Sequence, residues 1–135
     1  MGKQVTLEAA ERIIAACKKK ADEIGQPMNI AVVDSGANLV AFARMDGTKL
    51  VGADISQKKA LTAVYFQTAT SDLAPLVQPG APLFGIESVG GGRLVVFGGG
   101  IPLTDEDGQV VGGVGVSAGS VEQDQEVAAA GVGAF

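Results

Sequence analysis

The strongest constraint on this chain is a glycine-rich stretch between residues 98 and 119. The run Phe97-Gly98-Gly99-Gly100-Ile101-Pro102-Leu103 precedes an Asp107-Gly108 pair, and valine and glycine then mix from Val110 to Gly119. Two extended segments around an Asp-Gly pair predict a β-hairpin. Each glycine inside a strand destabilises it by about 0.5–1 kcal/mol, so such a strand is expected where another backbone or a ligand comes very close. The hairpin is therefore the first place where we expect a ligand site or a subunit contact.

The length of 135 residues suits one domain, and we assign residues 1–135 to a single domain. Hydrophobic residues make up 47% of the chain but aromatic residues only 4%, so the core must be built from Val, Ile, Leu and Ala. Such an apolar composition in a small protein predicts that some apolar surface is buried between subunits, as in a homo-oligomer. The single cysteine, Cys17, excludes an internal disulfide.

Several classes of function are excluded by charge and composition. The net charge is −5 and no basic stripe is present, which argues against nucleic acid as a partner. No apolar run reaches the roughly 18–20 residues of a membrane span, and no signal-peptide pattern opens the chain, so we expect no membrane partner and a cytoplasmic location. The chain has no histidine, which excludes Ser-His-Asp and Cys-His mechanisms and, with one cysteine, a zinc site. No metal site is predicted.

The chain order predicts an antiparallel sheet with helices laid on it. Apolar residues recur at spacings of three and four in the first helix, which Thr6 and Gly25 are placed to cap. Hairpin-length connections join the strands, so we expect an α+β (α/β) fold with about five strands flanked by helices. The predicted elements are a helix over 6–24, strands 29–34 and 39–44, a helix over 51–70, a short helical piece over 71–77, a long irregular segment over 78–92, a strand over 94–97, a glycine-rich crossing over 98–103, a strand over 110–116 and a helix over 120–130. Ser71 is expected to cap the short helical piece, and Ser120 and Gln123 stand at capping-box spacing at the start of the last helix.

Charged and hydroxyl side chains stand where several of these elements end, which is where sites are usually built. Arg44 and Asp46 end the second strand, and Ser117 precedes the last helix, whose first amides from Gly119 onward are free to contact a carboxylate. Without histidine, acid–base chemistry must use carboxylates, lysine or tyrosine. The candidate catalytic residues are Lys59 in the central helix, Asp124 on the last helix and Glu87 in the long loop.

Three stretches together resemble one known family. They are Ala31-Val32-Val33-Asp34 with Leu39-Val40-Ala41-Phe42-x-Arg44-Met45-Asp46-Gly47, then Asp54-Ile55-x-x-x-Lys59-Ala60-x-Thr62-Ala63, and last Gly98-Gly99-Gly100-Ile101-Pro102-Leu103 with Gly112-x-x-Gly115-Val116-Ser117-x-Gly119 and Asp124-x-x-x-Ala128-x-x-Gly131. The combination is specific and covers nearly the whole chain. It is similar to the GlcG/HbpS-like family, the haem-degrading domain family, which includes the C-terminal domain of PduO-type proteins.

The resemblance implies a profilin-like, three-layer α/β sandwich around an antiparallel sheet. It also implies dimers that assemble into larger, often octameric, particles, and haem or corrinoid-related binding. Haem-binding members of the PduO type are expected to use histidine at the iron, and this chain has none. It also reads Ser117-Ala118-Gly119 where the family commonly reads Ser-Gly-Gly. An axial ligand would then come from Met28, Met45, Cys17, Tyr65, Thr62 or Ser117.

Three functions remain open at this point. The first is an oligomeric small-ligand-binding protein, above all for haem or a related tetrapyrrole held by weak non-histidine ligation, with Arg44 and Lys59 pairing with ligand carboxylates. The second is an enzyme that uses lysine and carboxylate acid–base chemistry on a small carboxylated metabolite of a catabolic pathway. The third is an accessory or structural subunit whose hairpin serves only assembly. The predicted ligand-binding residues are Arg44, Asp46, Thr62, Gly99, Gly100, Pro102 and Ser117.

Overall fold

A computed structural model describes residues 3–135. Its helices are α1 (Leu7–Ile24), α2 (Val51–Phe66), α3 (Thr70–Leu73) and α4 (Val121–Val132), and its strands are β1 (Asn29–Asp34), β2 (Leu39–Arg44), β3 (Gly100–Thr104) and β4 (Val110–Ser117). The strands form one antiparallel sheet in the order β2-β1-β4-β3. Helices α1 and α4 pack together on one face of this sheet, and α2 packs on the other. The predicted three-layer antiparallel sandwich is confirmed, with four strands in place of about five.

Helix α1 follows its sequence signals closely. The Thr6 hydroxyl accepts a hydrogen bond from the Ala9 amide at the start, and Gly25 ends the helix in the left-handed conformation at φ 69°. One stripe of α1 is buried, and it includes Ile13 and Cys17. These two side chains join the core with Val127 of α4 and with the strands beneath. Within residues 3–135, no helix is long and apolar enough to cross a membrane.

The glycines of the predicted hairpin bring helix α2 onto the backbone of β4. Residues alternate along a strand, so Val114 and Val116 face α1 and α4, whereas Gly113 and Gly115 face α2. A β-carbon on Gly113 would lie 2.7 Å from the Ala60 carbonyl oxygen, and one on Gly115 would overlap the Ser56 carbonyl oxygen. The close approach predicted from these glycines is therefore a contact with the protein's own helix.

The segment 94–97 is not a strand, although its sequence Leu-Val-Val-Phe predicted one. It runs beside α2, where the Val95 amide donates to the Thr62 hydroxyl at 3.0 Å. One helical turn away on each side, Arg93 lies over the ring of Tyr65 and Phe97 lies over Lys59 Nζ. These contacts bind the segment to a helix, so no backbone ladder forms, and β3 begins only at Gly100.

The short helical piece predicted over 71–77 also differs from the structure. Helix α3 ends at Leu73, and a 3₁₀ segment continues from Ala74 to Val77. Pro75 stands in the first turn of that segment, where the missing amide hydrogen removes no helical bond. Ser71 was expected to cap this piece, but the residue before α3 is Ala69, which makes no side-chain capping bond.

Candidate functional site

Lys59 and Asp124 meet in the interior between α2 and α4. Lys59 Nζ lies 2.8 Å from Asp124 Oδ2 and donates a second hydrogen bond, of 2.9 Å, to the Val116 carbonyl oxygen. The ring of Phe97 covers the same nitrogen, with its centroid 4.9 Å away. The side chains of Lys59 and Asp124 are 0% and 3% exposed. Two acceptors and an aromatic face thus enclose the ammonium group.

The second carboxylate oxygen of Asp124 occupies the start of its own helix. Asp124 Oδ1 accepts a hydrogen bond of 2.9 Å from the Gly119 amide. The capping box predicted for this helix is present, with Ser120 and Gln123 each bonding the other's backbone. We expected the Gly119 amide to contact the carboxylate of a ligand; in the structure the protein's own carboxylate takes that place.

Burial governs the titration of this pair. Loss of water lowers the pKa of Lys59 and raises the pKa of Asp124 relative to their ordinary values. The hydrogen bond and the attraction between the two groups oppose both changes. The amide of Gly119 also favours the charged carboxylate. Burial therefore disfavours the charged forms of both groups, and their mutual attraction and hydrogen bonds offset this cost.

Gly99 and Gly100 pack against this pair and its neighbours. Gly99 has φ +125°, and a β-carbon there would lie 2.6 Å from Lys59 Nζ and 3.0 Å from the β-carbon of Asp124. The Gly100 amide donates to the Thr70 hydroxyl at 2.9 Å, and a β-carbon on Gly100 would lie 2.8 Å from the methyl group of Thr70. Protein atoms thus fill the space beside Gly99 and Gly100, where the sequence predicted a bound ligand.

Arg44 and Asp46 lie elsewhere, in an open groove between the end of α1 and the end of β2. The groove has a volume of about 520 Å³, within the roughly 300–1,000 Å³ of small-molecule sites. Ala21, Pro27 and Ala43 contribute apolar surface. The polar lining residues are Lys18, Asp22, Gln26, Arg44 and Asp46.

Four charged side chains line this groove without a partner in the described chain. Lys18, Asp22, Arg44 and Asp46 make no ion pair and no side-chain hydrogen bond within residues 3–135. Lys18 and Asp22 are four residues apart on α1, a spacing that often forms an ion pair, yet they do not pair. Two positive and two negative groups are thus available to a bound molecule.

The remaining predicted residues lie apart from the groove. The Thr62 hydroxyl donates to the Lys58 carbonyl oxygen at 2.7 Å and accepts from the Val95 amide. Pro102 lies on the edge strand β3, where an absent amide hydrogen costs no ladder bond. Ser117 ends β4 with 4% exposure, and its carbonyl oxygen accepts from the Asn29 side chain at 3.5 Å. Glu87 is exposed in a 3₁₀ segment, Ile86–Ser88.

Three groove residues were missed by the sequence reasoning, namely Lys18, Asp22 and Gln26. Lys18 and Asp22 lie on the flank of the apolar stripe, close to the Gly25 cap that ends α1. The available signal was the pair of charges one helical turn apart beside a helix end. Gln26 Nε2 also donates to the Ala118 carbonyl oxygen at 3.4 Å, which links the groove wall to the turn before α4.

The fold and these two regions define a class: a three-layer α/β domain with a buried lysine–aspartate pair and an open, charged groove. Comparison with known sequences places it more narrowly. The chain belongs to the family described as haem degrading protein HbpS-like, whose model matches residues 5–133.

Three similar proteins illustrate the range of this family. A Citrobacter freundii protein described only as an uncharacterized 15.0 kDa protein in the dhaT-dhaS intergenic region is 43% identical over 92% of this chain and 87% of its own length. The corrinoid adenosyltransferase PduO of the same species is 39% identical over 97% of this chain, which spans only 39% of PduO. The structure of a PduOC–haem complex superposes with a TM-score of 0.94 at 37% identity, covering 98% of this chain and 96% of that one.

Proposed function

We propose that this protein binds haem or a related tetrapyrrole in the groove between α1 and β2, without histidine ligation. The observation that carries this proposal is the pair of unpartnered cations, Lys18 and Arg44, in an open groove of about 520 Å³. Haem carries two propionates, and a guanidinium and an ammonium are the groups that recognise carboxylates.

The groups present fit such a ligand in two respects. The groove has apolar surface from Ala21, Pro27 and Ala43 for a flat macrocycle. Its two cations match two carboxylates, and two carboxylates remain on its walls. The superposable PduOC structure was solved as a haem complex, which supports a tetrapyrrole as the class of ligand. When bound, an iron porphyrin supplies redox and oxygen chemistry that side chains alone lack.

A spectrophotometric titration of the purified full chain with ferric haem tests the proposal. We expect a saturable shift of the Soret band with a stoichiometry of one haem per chain or per dimer. Arg44→Ala removes a charge-assisted contact and should weaken binding about tenfold. The matched control is Arg12→Ala, because Arg12 is an arginine of α1 that pairs with Glu8 and does not line the groove.

A linear, non-saturating response would contradict the proposal. Equal weakening by Arg44→Ala and Arg12→Ala would also contradict it, because the effect would then come from overall charge. In either case the search would move to small organic acids.

The enzymatic hypothesis depends on the buried pair. Lys59 and Asp124 have pKa values moved in the directions that acid–base chemistry uses, but Lys59 Nζ is enclosed and 0% exposed. A substrate would reach it only if the groups that enclose it, among them the Phe97 ring, moved. Loss of turnover in Lys59→Ala with an intact fold would support this second function, which stays a prediction, as does a catalytic role for Glu87.

Homo-oligomer formation is also proposed, and it is compatible with either function. Several large apolar side chains are exposed on the single chain, and Leu50 and Phe84 are 79% and 65% exposed. A second copy of the chain would cover them. Sedimentation equilibrium tests this: a monomer at all concentrations would contradict it. The accessory-subunit hypothesis needs this assembly alone and gains support only if groove variants leave all ligand binding unchanged.

A further inference from the structure

The groove contains one of the six iron ligands that the sequence offered. Met45 lines the groove. The other five do not line it, namely Met28, Cys17, Thr62, Tyr65 and Ser117. Three of these five are 0% exposed, and a fourth, Ser117, is 4% exposed. The fifth, Tyr65, belongs to α2, which packs on the opposite face of the sheet from α1.

The surroundings of Met45 differ from those of the charged groups in the groove. Its side chain is half-buried and packs against the hydrophobic core, whereas its neighbours Arg44 and Asp46 are exposed. Ala21 and Ala43 also belong to or pack against this core, and both line the groove. Met45 therefore forms part of the apolar inner wall, and the charges lie where water reaches them.

Two hydrogen bonds with Met28 hold Met45 in place. The Met45 amide donates to the Met28 carbonyl oxygen at 3.0 Å, and the Met28 amide donates to Met45 Sδ at 3.4 Å. The second bond orients the sulfur itself, as outer contacts of metal ligands commonly do. A thioether sulfur has two lone pairs and is only a weak acceptor, so one contact with an amide does not prevent it from binding a metal ion.

From these observations we infer that the sulfur of Met45 is an axial ligand of the haem iron, so that the groove favours ferrous over ferric haem. A soft thioether stabilises the lower oxidation state and raises the reduction potential of haem iron. The inference rests on the proposed function and divides the groove between two tasks. Met45 contacts the centre of the ligand, and Lys18 and Arg44 contact its propionates.

A matched pair of substitutions tests this assignment. Met45→Leu removes the sulfur and keeps an apolar side chain of similar volume. Met28→Leu is the control, because it makes the same change at a residue that is 0% exposed and does not line the groove. Each purified full chain is titrated with ferric haem, with ferrous haem under anaerobic conditions and with metal-free protoporphyrin. The reduction potential of the bound haem is measured as well.

The three ligands should respond differently to Met45→Leu. Ferrous haem should be weakened about tenfold more than ferric haem, which lowers the reduction potential of the bound haem by about 59 mV. Metal-free protoporphyrin should bind unchanged, because it carries the same propionates and no iron. Arg44→Ala should weaken all three ligands, and Met28→Leu none.

Met45→His tests the same position by a gain of ligation. An imidazole that faces the iron should tighten the binding of ferric haem and change its absorption and electron paramagnetic resonance spectra. The binding of metal-free protoporphyrin should not tighten. Unchanged spectra of the ferric complex would contradict a position that faces the iron.

Two results of the titrations would overturn the inference. If Met45→Leu changes the binding of haem and of protoporphyrin equally and leaves the reduction potential unchanged, Met45 is no iron ligand and the proposed function still stands. If none of the three ligands saturates the wild type, the proposed function fails and this inference fails with it.

Discussion

Two neighbouring lysines on α2 form ion pairs of the same length in opposite surroundings. Lys58 Nζ lies 2.8 Å from Asp54 Oδ2, and Lys59 Nζ lies 2.8 Å from Asp124 Oδ2. The side chains of the first pair are 34% and 68% exposed, and those of the second are 0% and 3% exposed. The distance between the charges therefore does not determine how much an ion pair contributes to stability. The extent to which the two groups are removed from water does.

The physical reason is the cost of taking a charge out of water. An exposed pair gains little because water screens it and solvates each partner after the other is lost, so its contribution is about 0–1 kcal/mol. A buried pair contributes little net stability as a pair, yet removing one partner leaves an uncompensated charge in the interior. Lys59 and Asp124 should therefore be intolerant of single substitutions, and Lys58 and Asp54 tolerant.

The largest expected effect comes from breaking the buried pair on one side. Asp124→Ala leaves the buried Lys59 ammonium without its counter-charge and the Gly119 amide without its acceptor, so the free energy of unfolding should fall by about 3–5 kcal/mol. Urea denaturation followed by circular dichroism measures this. The matched control is Asp54→Ala, and a similar loss in both variants would contradict the comparison.

Replacing both partners by apolar residues separates the pair from the unpaired charge. The double variant Lys59→Met with Asp124→Leu should recover most of the loss, because no charge then remains buried. If the double variant is no more stable than Asp124→Ala, the pair itself provides the stability.

Cys17 extends the comparison to a buried group that has no charged partner. Burial raises the pKa of its thiol to about 12 from 9.0. Because the folded-state pKa is the higher one, its contribution to stability is present below the unfolded value and is lost as the pH rises. Between about pH 8 and about pH 10 the wild type should lose about 1.4 kcal/mol relative to Cys17→Ala. Parallel pH profiles of the two proteins would contradict this.

The turn that holds Asp124 provides a smaller effect of opposite sign. Ala118 has φ +114°, a conformation in which a β-carbon is strained. Ala118→Gly should raise the free energy of unfolding by about 1 kcal/mol. Ala129→Gly, on an exposed position of α4, is the control and should lower it by a similar amount. Thermal denaturation of both variants measures the difference.

The smallest expected effect is at the exposed pair. Lys58→Ala should change the free energy of unfolding by less than about 0.5 kcal/mol, since the pair links residues four apart on one helix surface. A loss above about 2 kcal/mol in the same urea experiment would show that Lys58 does more than its exposure suggests.

Local signals predicted the parts of this fold that local physics controls. The Thr6 cap of α1 and the capping box at Ser120 follow from side chains next to the amides that they bond, and the Gly25 cap follows from the freedom of glycine to take a positive φ. The segment 94–97 has strong strand propensity, but a strand needs a partner ladder, and here α2 takes the place of one. Propensity carries no information about that distant partner.

The sites show the same limit. Sequence reasoning named Lys59 and Asp124 separately, but their pairing joins positions 65 residues apart. It also grouped Arg44 with Ser117 and the glycines, whereas the structure places Arg44 in a groove with Lys18 and Asp22. Charged positions on a helix flank look alike in sequence whether they face solvent or a groove, so only the packing of α1 against β2 distinguishes them.

The contact of α2 with the glycines of β4 has a consequence for how variants of this domain can arise. At Gly113 and Gly115 the obstacle to a larger residue is a carbonyl oxygen of α2, and a main-chain atom cannot be exchanged for a smaller one by any compensating substitution. Gly113 and Gly115 are therefore expected to tolerate almost no substitution. The side chains of the four charged groove residues make no ion pair and no hydrogen bond within residues 3–135, so substitutions there remove no polar contact of the fold. Variants with different ligand preferences can thus arise while the backbone fold stays unchanged.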